Sequence, residues 1–213
     1  MKTPTKEMYS KIRETIKKKI RSELSKEDSL EEAILITDQY LSKYRFSMKQ
    51  IASLIESSNK EISKSLLKRD GYSEKDSLDS IPKYEIHLIN IFKDRFICLI
   101  LKAVMENYII SEWEMFCKII DSIEIEHLTS SRLMLLEYLM VHQDVPFHII
   151  HRYHEIIPFN IIIRNKDFSK ECGKVIFNDI LQLYGYEDRS RFVDEKAFEE
   201  MYKKANESFI KNL

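Results

Sequence analysis

This chain of 213 residues has very little glycine or proline, with 3 glycines and 4 prolines in all. Tight β-turns depend on glycine because it accepts positive φ angles, and both residues interrupt helices. Hydrophobic residues make up 44% of the chain and charged residues 32%, so helix-forming residues of both kinds are plentiful. The composition therefore predicts an all-α protein that is long enough to bury a sizeable core.

Charge is divided unevenly along the chain. Residues 1 to 70 contain 16 Lys and Arg against 11 Asp and Glu, a net charge of +5, whereas residues 71 to 213 contain 18 against 24, a net charge of -6. A basic front and an acidic back indicate separate roles, and the basic part favours a nucleic acid as partner. The alternative is an imbalance that arises by chance in a lysine-rich chain.

Helical periodicity suggests three parts. Residues 5 to 24 carry Met8, Ile12, Ile16 and Ile20 at four-residue spacing, which is typical of an amphipathic helix. After a polar stretch, further helical patterns lie near residues 83 to 108, 112 to 123, 129 to 142, 146 to 156, 171 to 184 and 194 to 211. We expect a basic helical module over residues 1 to 70, a linker over 71 to 82, and an acidic helical bundle over 83 to 213 for effector binding or dimerisation.

Capping boxes predict where helices begin in the basic module. Three pairs have the required spacing: Ser29 with Glu32, Ser47 with Gln50, and Ser58 with Glu61. The last two pairs predict separate short helices that begin near Met48 and Asn59. Basic residues followed by Gly71 predict where the second of these helices ends.

Residues 46 to 69, FSMKQIASLIESSNKEISKSLLKR, fit two short helices joined by a turn. With Met48 in the first position of the twenty-residue helix-turn-helix pattern, the packing positions hold Ile51, Ala52, Ile55, Ile62 and Leu66. The small Ala52 falls where the two helices cross at close range. The ninth position, usually glycine, holds Glu56. Over about thirty residues the segment resembles the helix-turn-helix superfamily of bacterial and phage transcriptional regulators.

The resemblance implies sequence-specific binding of double-stranded DNA, with helix 58 to 68 in the major groove. The residues placed at the DNA are Lys49, Ser58, Asn59, Lys60, Ser63, Lys64 and Lys68. Asn59 suits an adenine edge and Lys60 a guanine, whereas Ser58 and Lys64 suit phosphates. A small reader followed by a helical sensor is similar to the layout of tetracycline-repressor-type regulators. Such a regulator is expected to act as a homodimer, because two half-sites bind more strongly than one.

A different class of function is also compatible with the sequence. The helices can form a protein-interaction module, for example a phage or plasmid inhibitor that binds a host protein. We find no glycine-flanked serine, zinc-protease motif or cysteine with a catalytic partner, so we expect no enzymatic activity and no cofactor. Four histidines lie close together in the sequence: His142, His148, His151 and His154. We expect them to be divided between the core and the surface, and the alternative is a zinc site, since histidine is a common zinc ligand.

Cysteine use and hydropathy indicate the environment of the chain. Cys98, Cys117 and Cys172 lie far apart among apolar neighbours, which favours buried free thiols. The most apolar region, residues 84 to 110, contains charged residues at intervals and is expected to be a core helix rather than a membrane span. The first residues lack the apolar segment of a signal peptide. These features predict a cytoplasmic protein without membrane contact.

Overall fold

The computed structural model of the protein describes residues 1 to 26, 29 to 73, 81 to 123, 125 to 154, 156, 157 and 159 to 162. These residues form eight helices: α1 Lys6–Leu24, α2 Glu31–Lys43, α3 Met48–Arg69, α4 Lys83–Asn107, α5 Trp113–Asp121, α6 Ile125–His142, α7 Phe147–Tyr153 and α8 Phe159–Ile162. The described part contains no strand, only one isolated bridge between Lys2 and Tyr44. The prediction of an all-α fold is confirmed. The helices predicted for residues 171 to 184 and 194 to 211 lie outside the described residues.

Two compact units divide the chain, Met1–Arg132 and Leu133–Leu213. In the first unit, α1 packs on α2 and α3, α4 packs on α2 and α3, and α5 packs on α3. The structure therefore groups the helices on both sides of the predicted linker, of which residues 74 to 80 lie outside the described residues. A polar stretch separates helices along the sequence, but it does not prevent them from sharing one core.

Helices α1 and α3 lie side by side and run in the same direction. Near their first turns, the Tyr9 hydroxyl donates a hydrogen bond of 2.7 Å to the backbone carbonyl of Gln50. Toward their C-terminal ends, the Arg21 guanidinium donates to the carboxylate of Glu61. These contacts join residues 41 and 40 positions apart, the nearly constant offset expected of a parallel pair. Helix α2 begins beside the end of α1, where Glu23 contacts Glu32, and ends near the start of α1, where Tyr44 bridges Lys2, so it runs antiparallel to α1.

The apolar stripe predicted for α1 faces this core. Ile12, Ile16 and Ile20 are buried together with Leu24, whereas Met8 is 37% exposed. Burying each of these side chains contributes roughly 2 kcal/mol relative to leaving it in water. The helix begins at the N-cap Thr5, whose hydroxyl accepts a hydrogen bond of 3.2 Å from the backbone of Met8.

The start of α2 is capped by a residue of α1, not by the predicted pair of Ser29 and Glu32. The Glu23 carboxylate accepts hydrogen bonds from the backbone N–H groups of Glu32, at 2.8 Å, and Ala33, at 3.1 Å. The Ser29 hydroxyl accepts one bond of 3.2 Å from the first residue of the helix. The predicted capping box is wrong because a carboxylate from the neighbouring helix accepts hydrogen bonds from two backbone N–H groups that the helix itself leaves unpaired. Its negative charge also interacts favourably with the positive N-terminal end of the helix dipole.

Both ends of α3 agree with the sequence. At its N-terminus, the Ser47 hydroxyl accepts from the backbone of Gln50 at 3.2 Å, and the Gln50 side chain accepts from the backbone of Ser47 at 3.0 Å, which confirms the predicted capping box. At its C-terminus, Gly71 has a positive φ of 87°. The backbone N–H of Gly71 donates to Lys68, and that of Tyr72 donates to Leu67, so the helix ends in the predicted glycine stop.

The middle of α3 differs from the prediction, because Met48–Arg69 is one helix of 22 residues. The predicted second start at Ser58 is wrong: Ser58 is 0% exposed within the helix, and Glu61 binds Arg21 instead of capping. Hence the helix-turn-helix bend is absent from this described segment. The physical reason is that no glycine or proline breaks residues 48 to 69, and Ile51, Ile55, Ile62 and Leu66 keep one continuous buried face. Ala52, the predicted crossing point, is half-buried.

The described part of the second unit consists of the end of α6, α7 and α8. Its buried residues include Leu136, Leu139 and Met140 of α6 and Ile149 and Ile150 of α7. The spacing of these residues places them on one face of each helix. Among the helices that the structure describes, none combines the length and hydrophobicity needed to cross a lipid bilayer.

Candidate nucleic-acid interface

All four of the predicted DNA-binding lysines are exposed on α3. Lys49, Lys60, Lys64 and Lys68 are all exposed, and we call them the lysine face. Lys60, Lys64 and Lys68 follow one another at four-residue spacing, and Lys49 precedes Lys60 by about three helical turns. At a rise of 1.5 Å per residue, the face extends for about 28 Å. An uninterrupted helix is what aligns Lys49 with the other three.

The three remaining predicted residues, Ser58, Asn59 and Ser63, are less exposed than the lysines. Ser58 is buried, so its predicted contact with a phosphate is wrong for this arrangement. Asn59 and Ser63 are half-buried, and the Ser63 hydroxyl donates to the Asn59 backbone carbonyl at 3.0 Å. The side-chain oxygen of Asn59 is itself buried. These three polar residues are therefore buried or half-buried, whereas the four lysines are exposed.

One carboxylate interrupts the lysine face. The Lys60 ammonium lies 2.7 Å from the carboxylate of Glu56, one turn earlier on α3. The hydrogen bond from Lys60, followed by its charge, lowers the pKa of Glu56. Both side chains are largely exposed, and such surface pairs exchange readily with other ionic partners. Lys60 can therefore leave Glu56 for a phosphate at small cost.

A basic cleft lies beside the C-terminal end of the lysine face. It has a volume of about 430 Å³, and Arg21 and Ser25 from the α1 side line it together with Lys64, Ser65, Lys68 and Arg69 of α3. Two of its residues, Lys64 and Lys68, also belong to the lysine face. The cleft thus extends the positive surface from α3 toward α1.

Arg21 is oriented within the cleft by a buried partner. Its Nε donates to Glu61 Oε1 at 2.8 Å and its Nη2 to Glu61 Oε2 at 3.1 Å, in a two-pronged arrangement. The Glu61 side chain is 6% exposed, whereas that of Arg21 is 58% exposed. The hydrogen bond from Arg21 to Glu61, followed by the charge of Glu61, raises the pKa of Arg21. A guanidinium has five N–H groups, so this pair leaves donors that can point toward the cleft.

Sequence reasoning missed Arg21 and Ser65 as site residues. Arg21 precedes its neighbour Glu61 by 40 residues. Only the parallel packing of α1 on α3 brings the two together. No local pattern in the sequence indicates which residues of these two helices lie side by side. One signal was present: Glu61 falls on the buried side of a continuous helix, where a carboxylate needs a cationic partner.

The histidine cluster does not form a metal site within the described residues, where no three His, Cys, Asp or Glu side chains come together around one point. His142 stacks on Tyr138 with ring centroids 4.0 Å apart, and His151 stacks on His154 at 4.9 Å. His148 is exposed. The other three histidines of the cluster contact neighbouring rings.

Two of the three cysteines lie in the part of the chain that the structure describes. Cys117 is buried and Cys98 is half-buried, in partial agreement with the prediction of buried thiols. Burial, with a smaller effect of the charge on Asp94, raises the pKa of Cys98 to about 11. Such a thiol is almost fully protonated at neutral pH and is a poor nucleophile. Cys172 lies outside the described residues.

Comparisons of this chain with protein-family models, curated proteins and solved structures found no significant match. The geometry and charge of the first unit are therefore the guide to its function.

Proposed function

We propose that this protein binds double-stranded DNA through the lysine face of α3. The observation that supports the proposal is that Lys49, Lys60, Lys64 and Lys68 share one exposed side of an uninterrupted helix. DNA is a regular polyanion, and a row of lysines that extends for about 28 Å along a helix spans most of one helical turn of the duplex.

The proposed contacts are made with phosphates. A lysine ammonium acts as a compact point charge that binds phosphate without demanding one geometry. Base reading by Asn59, which the sequence predicted, has less support because its side-chain oxygen is buried. Lys60 remains the candidate for a contact with a base edge, since it is exposed and lies midway along the row.

Transcriptional control is the proposed role, and a homodimer is the proposed binding state. A single row of four lysines gives modest affinity at physiological salt. A second copy of the chain would present a second row, and joining two rows raises the overall affinity without any new kind of contact.

Fluorescence anisotropy of a labelled duplex, measured over a range of salt concentrations, tests this proposal. Each phosphate contact contributes about 0.9 to the slope of log affinity against log salt, so four lysines predict a slope of about -4 per chain. Lys64→Ala should lower the affinity and reduce the slope by about 1. If the anisotropy of the labelled duplex at low salt is the same with the protein as with buffer alone, the proposal of DNA binding is refuted.

Lys102 on α4 supplies a matched control. It is also exposed and has a carboxylate, Glu106, one turn away at 3.9 Å. It lies on a different helix from the lysine face, so Lys102→Ala should change neither the affinity nor the salt slope. If the Lys102 and Lys64 variants lose equal affinity, binding is a property of total charge and the lysine face has no special part in it.

The second candidate function is the protein-interaction module that the sequence also allowed. The observation in its favour is the continuity of α3, because the protein lacks the bend that presents a recognition helix to the major groove. This function predicts no salt-dependent binding of any duplex, so the same titration distinguishes the two.

A further inference from the structure

Two pockets meet at the C-terminal end of α3. The first is the basic cleft. The second, which we call the apolar pocket, has a volume of about 270 Å³ and is lined by Lys64, Leu67, Lys68, Tyr72 and Ser73. Lys64 and Lys68 line both, so the two pockets are adjacent and share a wall.

The basic cleft provides hydrogen-bond donors of two kinds, a guanidinium and an ammonium. Arg21 is held in position by Glu61 and retains N–H groups that this pair does not use. Lys68 is exposed and provides an ammonium. Ser65 also lines the cleft, but its hydroxyl oxygen is buried. A guanidinium and an ammonium around one cavity suit the oxygens of a phosphate group.

The apolar pocket suits a flat, uncharged group. Leu67 and the ring of Tyr72 form its apolar surface, and the methylene stems of the two shared lysines add to it. A planar heterocycle gains by stacking on an aromatic ring, and a nucleobase stacks without regard to its identity. Tyr72 is half-buried and lines this pocket.

We infer that the two pockets together form a nucleotide-binding site, with the phosphate in the basic cleft and the base in the apolar pocket. The shared lysines lie between the two parts, where a nucleotide places its sugar and the bridging oxygen of its phosphate. The joint volume is within the range of ordinary small-molecule sites. Two sources can supply this chemistry: a free nucleoside monophosphate, or the phosphorylated end of a nucleic-acid strand.

This inference goes beyond duplex binding and does not require it. Contacts along the lysine face involve the backbone phosphates of an intact duplex, whereas the site recognises one nucleotide whose base is unpaired. A free nucleotide in this site would be an effector of the proposed regulator. A strand end would make it a sensor of DNA termini.

Isothermal titration calorimetry with the full chain tests the site with adenosine 5′-monophosphate, adenosine and inorganic phosphate. We expect the nucleotide to bind at least about tenfold more tightly than either fragment, because each fragment occupies only one pocket. A short single-stranded oligonucleotide with a 5′-phosphate, compared with the same strand carrying a 5′-hydroxyl, tests the second source. If neither adenosine monophosphate nor the phosphorylated strand binds better than the matching fragment or strand without phosphate, the inference is wrong.

Variants then locate the binding. Lys68→Ala removes a residue of both pockets and should weaken nucleotide binding about tenfold. Tyr72→Ala should weaken the nucleotide and adenosine but leave inorganic phosphate unchanged. Lys102→Ala is the matched control, since Lys102 is an exposed lysine of α4 that lines neither pocket. Equal losses from the Lys102 and Lys68 variants would overturn the assignment.

The choice of ligand separates this inference from the proposed function, because Lys68 belongs to the lysine face as well as to both pockets. A blunt duplex without terminal phosphates reports only on the lysine face. Nucleotide binding without duplex binding would support the site and refute the DNA proposal. Duplex binding without binding of any nucleotide or phosphorylated strand end would support the DNA proposal and refute the nucleotide site. Circular dichroism should show native helix content for the Lys68 and Tyr72 variants, because neither side chain belongs to the core.

Discussion

The guanidinium of Arg21 on α1 holds the buried carboxylate of Glu61 on α3 through two hydrogen bonds, of 2.8 and 3.1 Å. This pair fixes the register of the two parallel helices and places Arg21 at the basic cleft. Glu61 lies in the middle of a continuous helix, where its carboxylate binds Arg21. Its spacing from Ser58 had instead predicted that it would cap the start of a second helix.

Arg21→Ala should lower the free energy of unfolding by about 2 kcal/mol, because it leaves a buried carboxylate without its partner. Urea unfolding followed by circular dichroism measures the change. Lys17→Ala is the control, since Lys17 is a cation of the same helix that binds the half-exposed Glu14. That variant should lose less than about 0.5 kcal/mol. Equal losses from the two variants would contradict the importance of the buried pair.

Glu23→Ala should destabilise the protein by about 1 kcal/mol through loss of the cap on α2. Ser29→Ala should cost only a few tenths, roughly the value of one exposed bond. The same urea experiment ranks the two variants. If the serine variant proves the more damaging, the helix is capped as the sequence predicted and not by the carboxylate from α1.

Ser58→Ala should leave the free energy of unfolding unchanged or raise it by up to about 1 kcal/mol, because the variant removes a buried hydroxyl that has no partner in the described structure. Ser57→Ala is the matched control, because the Ser57 hydroxyl donates to the Leu54 carbonyl at 3.0 Å and its loss should be slightly destabilising. Duplex affinity should not change in either variant. A loss of about 1 kcal/mol together with weaker DNA binding would instead indicate that Ser58 caps a recognition helix.

Tyr108 should make stability fall at alkaline pH. Its single O–H lies within hydrogen-bond distance of the backbone carbonyls of Leu41 and Tyr44, and its oxygen accepts from the backbone N–H of Phe46. Burial raises the pKa of Tyr108 from 10.0 to about 12. Between these values the unfolded chain releases the phenolic proton while the folded protein keeps it, so the free energy of unfolding decreases as pH rises.

Tyr108→Phe lacks this titration and serves as its reference. The native protein should be more stable than the variant below pH 10.0, and the difference should shrink as pH rises toward about 12. Urea midpoints at a series of pH values give the comparison. A difference that stays constant over this range would show that Tyr108 titrates equally in the folded and unfolded states.

The sequence by itself determined the helical class, most helix boundaries, the apolar stripe of α1 and both ends of α3. Each of these depends on neighbours within one or two turns, and local spacing carries that information. The same reasoning gave an incorrect break at Ser58, because a serine followed three residues later by glutamate resembles a helix start wherever it occurs.

Only the tertiary structure decided that α3 continues, that Glu23 caps α2, and that Arg21 joins Lys64 and Lys68 around one cleft. In each case the deciding partner lies on another helix, and burial of a shared apolar face sets which residues meet. A capping serine and a core serine have the same local pattern. They differ in whether a neighbouring helix covers them, and packing settles that difference because burying an apolar face contributes more free energy than one terminal hydrogen bond.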